Sequence, residues 1–346
     1  MSQRLAALIA LFAFAALVVA ALLGGDLGLA ESGPSRISFQ IATGSTEGVY
    51  FPVGQAMAGL ISHPPGVGRC ETATVCGPAG VILSARTSEG GADNLRGVNS
   101  GAVDSGFADG DVIAAAVKGE GAFRRYGPAT HLRVIAALFP EEAHLVVAAK
   151  SAIRSVGDLR GKRVFLGAAG SGGQVRGRAI LDAYRVRVRE VASDTPPAQL
   201  LRDGRIDAYF AVAGVPLDAV KDLLAHRLAR LAPIDGEGRD RLVKMMPQLQ
   251  ATTITANAYP GQTAAVETVA TRAWWVTRGG ESDAMIYGMT RALFHPANHA
   301  ALAASHPSAR GIGLDSAALN PPAPFHSGAA RFYREMDKLP RQSSPE

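Results

Sequence analysis

The chain has 346 residues, 47% of them hydrophobic and 19% charged, with a formal net charge of +5. That balance suits a folded protein with a sizeable core, and the length suits two lobes better than one. The positive charge comes from scattered arginines without a basic run or interleaved aromatics, so nucleic acid is not an expected partner.

At the N-terminus, Arg4 precedes an unbroken apolar run from Leu5 to Leu23. At about 1.5 Å per residue such a run spans roughly 28 Å, close to the thickness of a hydrocarbon core. Gly28 and Ala30 fit the small residues of a signal-peptidase site, so residues 1–30 read as a signal peptide or, uncleaved, as a membrane anchor. Either way the body of the protein is expected outside the cytoplasm.

"RISFQIA" alternates Ile37, Phe39 and Ile41 as a strand does, and "VYFPVGQAMAGLI" reads as the helix after it. Between them Thr43, Gly44, Ser45, Thr46, Glu47 and Gly48 form a turn of small hydroxyls and bare backbone at a helix start, a place for a small anion. Cys70 and Cys76 follow in a Gly- and Pro-flanked loop, too far apart for a C-x-x-C motif and without a nearby histidine for zinc. An oxidising compartment favours a disulfide between them; two free loop thiols are the alternative.

"GVILSART" is the next strand, "GGADNLRGVNSGAV" a turn and short helix, and "DSGFADGDVIAAAVKG" a strand, a turn at Asp109 to Asp111, and a helix. "HLRVIAALF" and "HLVVAAK" read as two strands broken by Pro140, Glu141 and Glu142. Ser155 and Asp158 make a capping box. Strands then alternate with helices as far as "LARLAPI", with "KRVFLGAA", the turn "GSGGQ" and the helix "VRGRAILDAYRV" among them. "TVATRAWWVTR" is a late strand whose Trp274 and Trp275 suit a core, and residues 282–294 and 298–307 read as surface helices. The alternation predicts parallel α/β sheets, whose ligands sit beyond the strand C-termini.

"GAAGSGGQ" lacks the Lys-Ser/Thr of a triphosphate loop and the spacing of a dinucleotide fingerprint, which leaves a strand-to-helix turn able to face an anion. Ser45 and Ser171 lack a nucleophile elbow. His295 and His299 stand four apart, but Pro296 and the missing Glu set them off from the metalloprotease pattern. Asp104, Asp109 and Asp111 miss the calcium-loop spacing. No catalytic residue, metal or cofactor is expected.

In their order and spacing, "IATGSTEGVYFPVG", "GGADNLRGVNSGAVDSGFADGDV", "IAALFPEEAHLVV", "SVGDLRGKRVFLGAAGSGG", "LRDGRIDAYFAVAG" and "PFHSGAARFYRE" resemble the TAXI class of periplasmic solute receptors, which serve tripartite TRAP transporters. The resemblance runs from about residue 37 to about 337. It implies an α/β, two-lobed periplasmic-binding-protein-like fold with a ligand cleft between the lobes. Lobe 1 would comprise residues 31–139, lobe 2 residues 140–251, and residues 252–346 would return to lobe 1, with crossings near Phe139 to Leu145 and Thr252 to Ala258. The ligand wall it implies runs from Thr43 and Gly44 through Ser45, Thr46, Gly48 and Tyr50, with Asn94 and Asp109 nearby. Gly170, Ser171, Gly172 and Gln174 would face the ligand from lobe 2, and Phe210, Ala213 and Gly214 would form the opposite rim. The implied ligand is a small carboxylate such as glutamate, glutamine or 2-oxoglutarate, and the partners are the permease subunits of the transporter, served by a monomer. Many relatives carry glutamine at Asp109; a carboxylate there repels an acidic ligand or binds an ammonium group. A sensory receptor for a membrane kinase and a serine hydrolase using Ser45 or Ser171 are the rival readings.

Overall fold

The computed structural model describes residues 36–70, 75–167 and 172–340. The N-terminal segment 1–30 and the turn residues Gly170 and Ser171 lie outside the described residues. Among the described residues, no helix is long and apolar enough to cross a membrane.

Among the described residues, ten strands form one mixed sheet: β1 (Ile37–Ala42), β2 (Val81–Arg86), β3 (Ser105–Asp109), β4 (Leu132–Ala148), β5 (Arg163–Phe165), β6 (Arg189–Glu190), β7 (Ala208–Ala213), β8 (Ala229–Ala232), β9 (Gln250–Ile254) and β10 (Val266–Arg278). The main path runs β2-β1-β3-β10-β4-β7-β5-β6, with β8 on β4 and β9 on β10. β1 lies parallel to β2 and β3, and β5 parallel to β6 and β7, while β4 and β10 run antiparallel through the middle.

The helices are α1 (Tyr50–Ile61), α2 (Gly91–Ser100), α3 (Gly110–Lys118), α4 (Gly172–Ala183), α5 (Pro197–Arg202), α6 (Asp218–Ala225), α7 (Gly236–Met245), α8 (Asp283–Leu293), α9 (Pro296–Ser305) and α10 (Ser327–Glu335). α1 buries Val53, Met57 and Ile61, spaced four apart on one face, and Pro52 sits in its first turn, where its missing N–H costs nothing. α2 and α3 each stop at a glycine in the left-handed conformation, Gly101 and Gly119.

Four apolar clusters lie on the two faces of this sheet. Along β10, Ala273 and Trp275 enter one cluster with α1, α8 and α10, while Trp274 and Val276 enter the cluster beneath α2 and α3. That is the two-residue alternation of a strand buried on both faces. Along β4, Leu145 and Val147 join the cluster of α4 and α7, and Val146 joins that of α5 and α6. The change from the first pair of clusters to the second falls between Phe139 and Ala143 on β4 and between Val269 and Ala273 on β10. Glu141 and Thr271 are sheet partners at that waist.

Three expectations are corrected. Residues 131–150 do not break at Pro140: β4 is one strand of 17 residues. Pro140 is accommodated where the pairing with β10 shifts register between Arg272 and Trp274, an irregularity of the kind that admits a proline. The second crossing strand is β10, because Ile254 and Tyr259 still pack with the cluster of α5 and α6. Residues 283–293 are no surface helix, since Met285, Ile286, Met289 and Leu293 are buried against α1 and α10. Cys70 and Cys76 are joined as a disulfide, with Cα atoms 5.3 Å apart.

Candidate functional site

A cleft of about 200 Å³ opens at the waist of the sheet, lined by Gly44, Gly48, Tyr50, Gly91, Asp109, Glu141 and Ala213 among others. The turn expected at its edge is present. Thr43 is buried and spends both its N–H and Oγ1 on the Arg86 carbonyl, which fixes the exit of β1. Ser45 and Thr46 are exposed, and the Gly48 N–H closes the turn on the Ser45 carbonyl. The chain then enters α1, whose first N–H groups have no partner within the helix. Asn94 is buried, and its amide donates to the Thr43 and Phe107 carbonyls at 2.7 and 2.8 Å, tying the ends of β1 and β3. It shapes the wall without facing the cleft as a donor.

On the other side, Ala213 lines the cleft, but Phe210 packs in the core of α4 and α7. Gly214 lies beneath the loop that follows α9, where an added Cβ would strike Ser308. Gly172 begins α4, and the Gln174 amide is turned to Glu190 on the edge strand.

Arg176, Glu141 and Asp111 complete the site; from the sequence Asp111 is weighed only against a calcium loop and Glu141 only as part of a strand break, and none of the three is placed in the ligand wall. Arg176 projects from the second turn of α4 and is 2% exposed. Its Nε and Nη2 donate to the two Asp111 oxygens at 2.9 and 2.8 Å, a bidentate fork, and Nη2 also reaches Asp109 Oδ2 at 3.0 Å. Asp109 ends β3 and Asp111 sits in the first turn of α3, so this contact joins the two halves of the sheet across the waist.

Glu141 is 3% exposed and accepts from the Tyr50 hydroxyl at 2.8 Å. Burial, then the facing Asp109 charge, pushes its carboxyl well above the usual carboxylate range. For Asp109 burial acts in the same upward direction, but the Arg176 guanidinium and a hydrogen bond from Glu141 outweigh it and keep Asp109 ionised. The two shifts run in opposite directions, as for neighbouring carboxyls of which only one faces a cation. Burial and the same carboxylates hold the Tyr50 proton firmly. One guanidinium is shared between two carboxyl groups, Asp109 and Asp111, with Glu141 as a third beside them.

His295 caps α9, its Nδ1 accepting from the Ala297 N–H at 3.2 Å, and no group of three metal-ligating side chains is found among the described residues. Trp274 and Trp275 are both buried.

Solved structures of similar shape include MatC from Rhodopseudomonas palustris with bound malate, at 12% identity and a TM-score of 0.50, covering 87% of this chain and 97% of that one. The periplasmic sulfonate-binding protein SsuA from Methylobacillus flagellatus KT matches at 14% identity and a TM-score of 0.45, covering 81% and 74%. The likeness to MatC speaks to the fold alone. That fold is α/β, with two lobes and a cleft between them, as in periplasmic binding proteins. The sequence signature of the NMT1-like family matches residues 41–336, nearly all of the folded body, and the chain belongs to that family.

Proposed function

We propose that this chain is an exported solute receptor that holds a small carboxylate, either an amino acid or a keto or dicarboxylic acid such as 2-oxoglutarate, between its two lobes. It delivers that ligand to the permease subunits of a tripartite TRAP transporter, as the TAXI receptors it resembles do. Residues 1–30 direct export to the periplasm. Residues 37–139 and the chain after about 271 form one lobe, and residues 140–270 form the other. No chemical step is assigned to the cleft.

The observation that carries this reading is Arg176. It is a buried cation on a helix of one lobe that reaches the strand end and helix start of the other, beside a cleft walled by glycine backbone. Gly44, Gly48 and Gly91 carry no side chains, so a ligand carboxylate can approach the first N–H groups of α1 and α2. MatC, of similar fold, holds malate. A ligand in such a cleft bridges both lobes and closes them.

Mass spectrometry of small molecules released from the purified chain, with a thermal-shift screen of carboxylates, tests the proposal. The expected result is a stabilised and more compact species with a small carboxylate. Stabilisation by sugars or metal ions alone overturns it.

A further inference from the structure

We infer that Glu141 and Asp109 select a ligand bearing an ammonium group, which is held between the two carboxyls. The inference rests on the receptor reading above and decides between the ligand classes that reading leaves open.

Both carboxyls line the cleft, and the groups facing them can be named element by element. α1 contributes the Tyr50 hydroxyl, already bound to Glu141, and α4 contributes Arg176. α3 contributes Asp111, which takes two of the three guanidinium contacts. β10 places Thr271 opposite Glu141, with its Oγ1 buried and without a hydrogen-bond partner, and β7 offers only the uncharged Val212 and Ala213. Among the described residues facing this end of the cleft, the one cation is thus already shared between two carboxylates. A second ligand carboxylate brought to this end meets like charge without a free counter-ion. An ammonium meets two acceptors, and its three donors match the oxygens of Glu141 and Asp109.

The ligand's ammonium, keeping all its protons, sits between the two carboxyls. The ligand's own carboxylate lies toward the helix starts at Tyr50 and Gly91. Glu141 is then a specificity residue, because a keto acid of the same skeleton offers these carboxyls no donor.

Calorimetry of the purified chain at pH 7 tests the inference. The probes are L-glutamate and L-alanine, with 2-oxoglutarate and pyruvate as their counterparts lacking the ammonium. The expected result is an amino acid bound at least tenfold tighter than its keto counterpart, and Glu141→Gln narrows that preference. Equal or tighter binding of the keto acid overturns the inference and leaves the receptor reading standing, as does an amino-acid preference that Glu141→Gln leaves unchanged. Where none of the four binds, the inference falls and the carboxylate screen above decides the receptor reading.

Discussion

Replacing Arg176 by methionine keeps the length of the side chain and deletes the charge that joins the two lobes. The guanidinium is 2% exposed and makes three contacts of 2.8 to 3.0 Å with Asp109 and Asp111. Removing one partner of such a buried pair typically costs about 3–5 kcal/mol, because the carboxylates left behind are uncompensated. The side chains of Asp111 and Asp109 are 9% and 16% exposed, so some water reaches them and the lower end of that range applies. In a chain of this length about 3 kcal/mol lowers Tm by roughly 5 °C. Part of the cost is relieved if the lobes part and hydrate the two aspartates, so X-ray scattering should show a larger radius of gyration for Arg176→Met. Adding Asp109→Asn and Asp111→Asn removes the uncompensated charge and should return most of the lost stability, a coupling that a mutant cycle isolates. If Arg176→Met melts within about 1 °C of the parent and scatters identically, the bridge holds nothing together and the reasoning fails.

Acidification should destabilise the fold through His144, which is fully buried with its Nε2 2.7 Å from the Tyr259 hydroxyl and whose pKa burial lowers to about 4. Its folded pKa lies below the unfolded value of about 6.5, so its contribution is present above pH 6.5 and is lost as pH falls to 4, at most about 3 kcal/mol. Burial lowers His306 and His326 in the same direction, whereas the raised pKa of Glu141 works the opposite way; urea midpoints at pH 7, 5 and 4 should fall in the parent and fall less in His144→Phe. Replacing Cys70 and Cys76 by serine opens a short loop and should cost about 2 kcal/mol on the chain-entropy model, read as a lower urea midpoint; an unchanged midpoint counts against it. Gly54→Ala places a Cβ 2.5 Å from Thr43 Cγ2, so α1 must lift from the turn at the cleft edge. The expected cost is about 1–3 kcal/mol with weaker ligand binding, and a variant as stable as the parent refutes that packing.

Periodicity was enough for most of the fold. The alternation of Ile37, Phe39 and Ile41 and the four-residue spacing of Val53, Met57 and Ile61 report directly on one buried face each. It misled where tertiary context decides. Pro140, Glu141 and Glu142 have the composition of a turn, yet they continue β4, because the flanking runs pair with β10 on one side and β7 on the other. Residues 283–293 carry enough polar side chains to suggest a surface, but α8 presents Met285, Met289 and Leu293 to α1 and its polar residues elsewhere. The thirteen residues between Thr252 and Val266 hid the crossing at β10, since nothing local distinguishes an edge hairpin strand from a crossing strand.

The candidate site divides along a related line. Turn chemistry is local, so Gly44 and Gly48, which line the cleft, could be read as part of a helix-start turn from residue type and spacing, whereas Tyr50 was implied only by the family resemblance. The groups that set its charge are not local: Arg176 meets Asp111 from 65 residues away, and Tyr50 meets Glu141 from 91. In the sequence each is one ordinary charge among many, and only burial makes it costly enough to demand a partner. Two signals did exist. Glu141 interrupts two apolar runs that together form a single buried strand, and Arg176 sits in the opening turns of a helix, where a cation opposes the dipole and needs an anion brought to it. A charge that local rules disfavour points to a distant counter-charge. Here the counter-charges are Asp109 and Asp111, and because they outnumber the guanidinium, the cleft they build is better matched to a ligand with a positive end than to one with two negative ends.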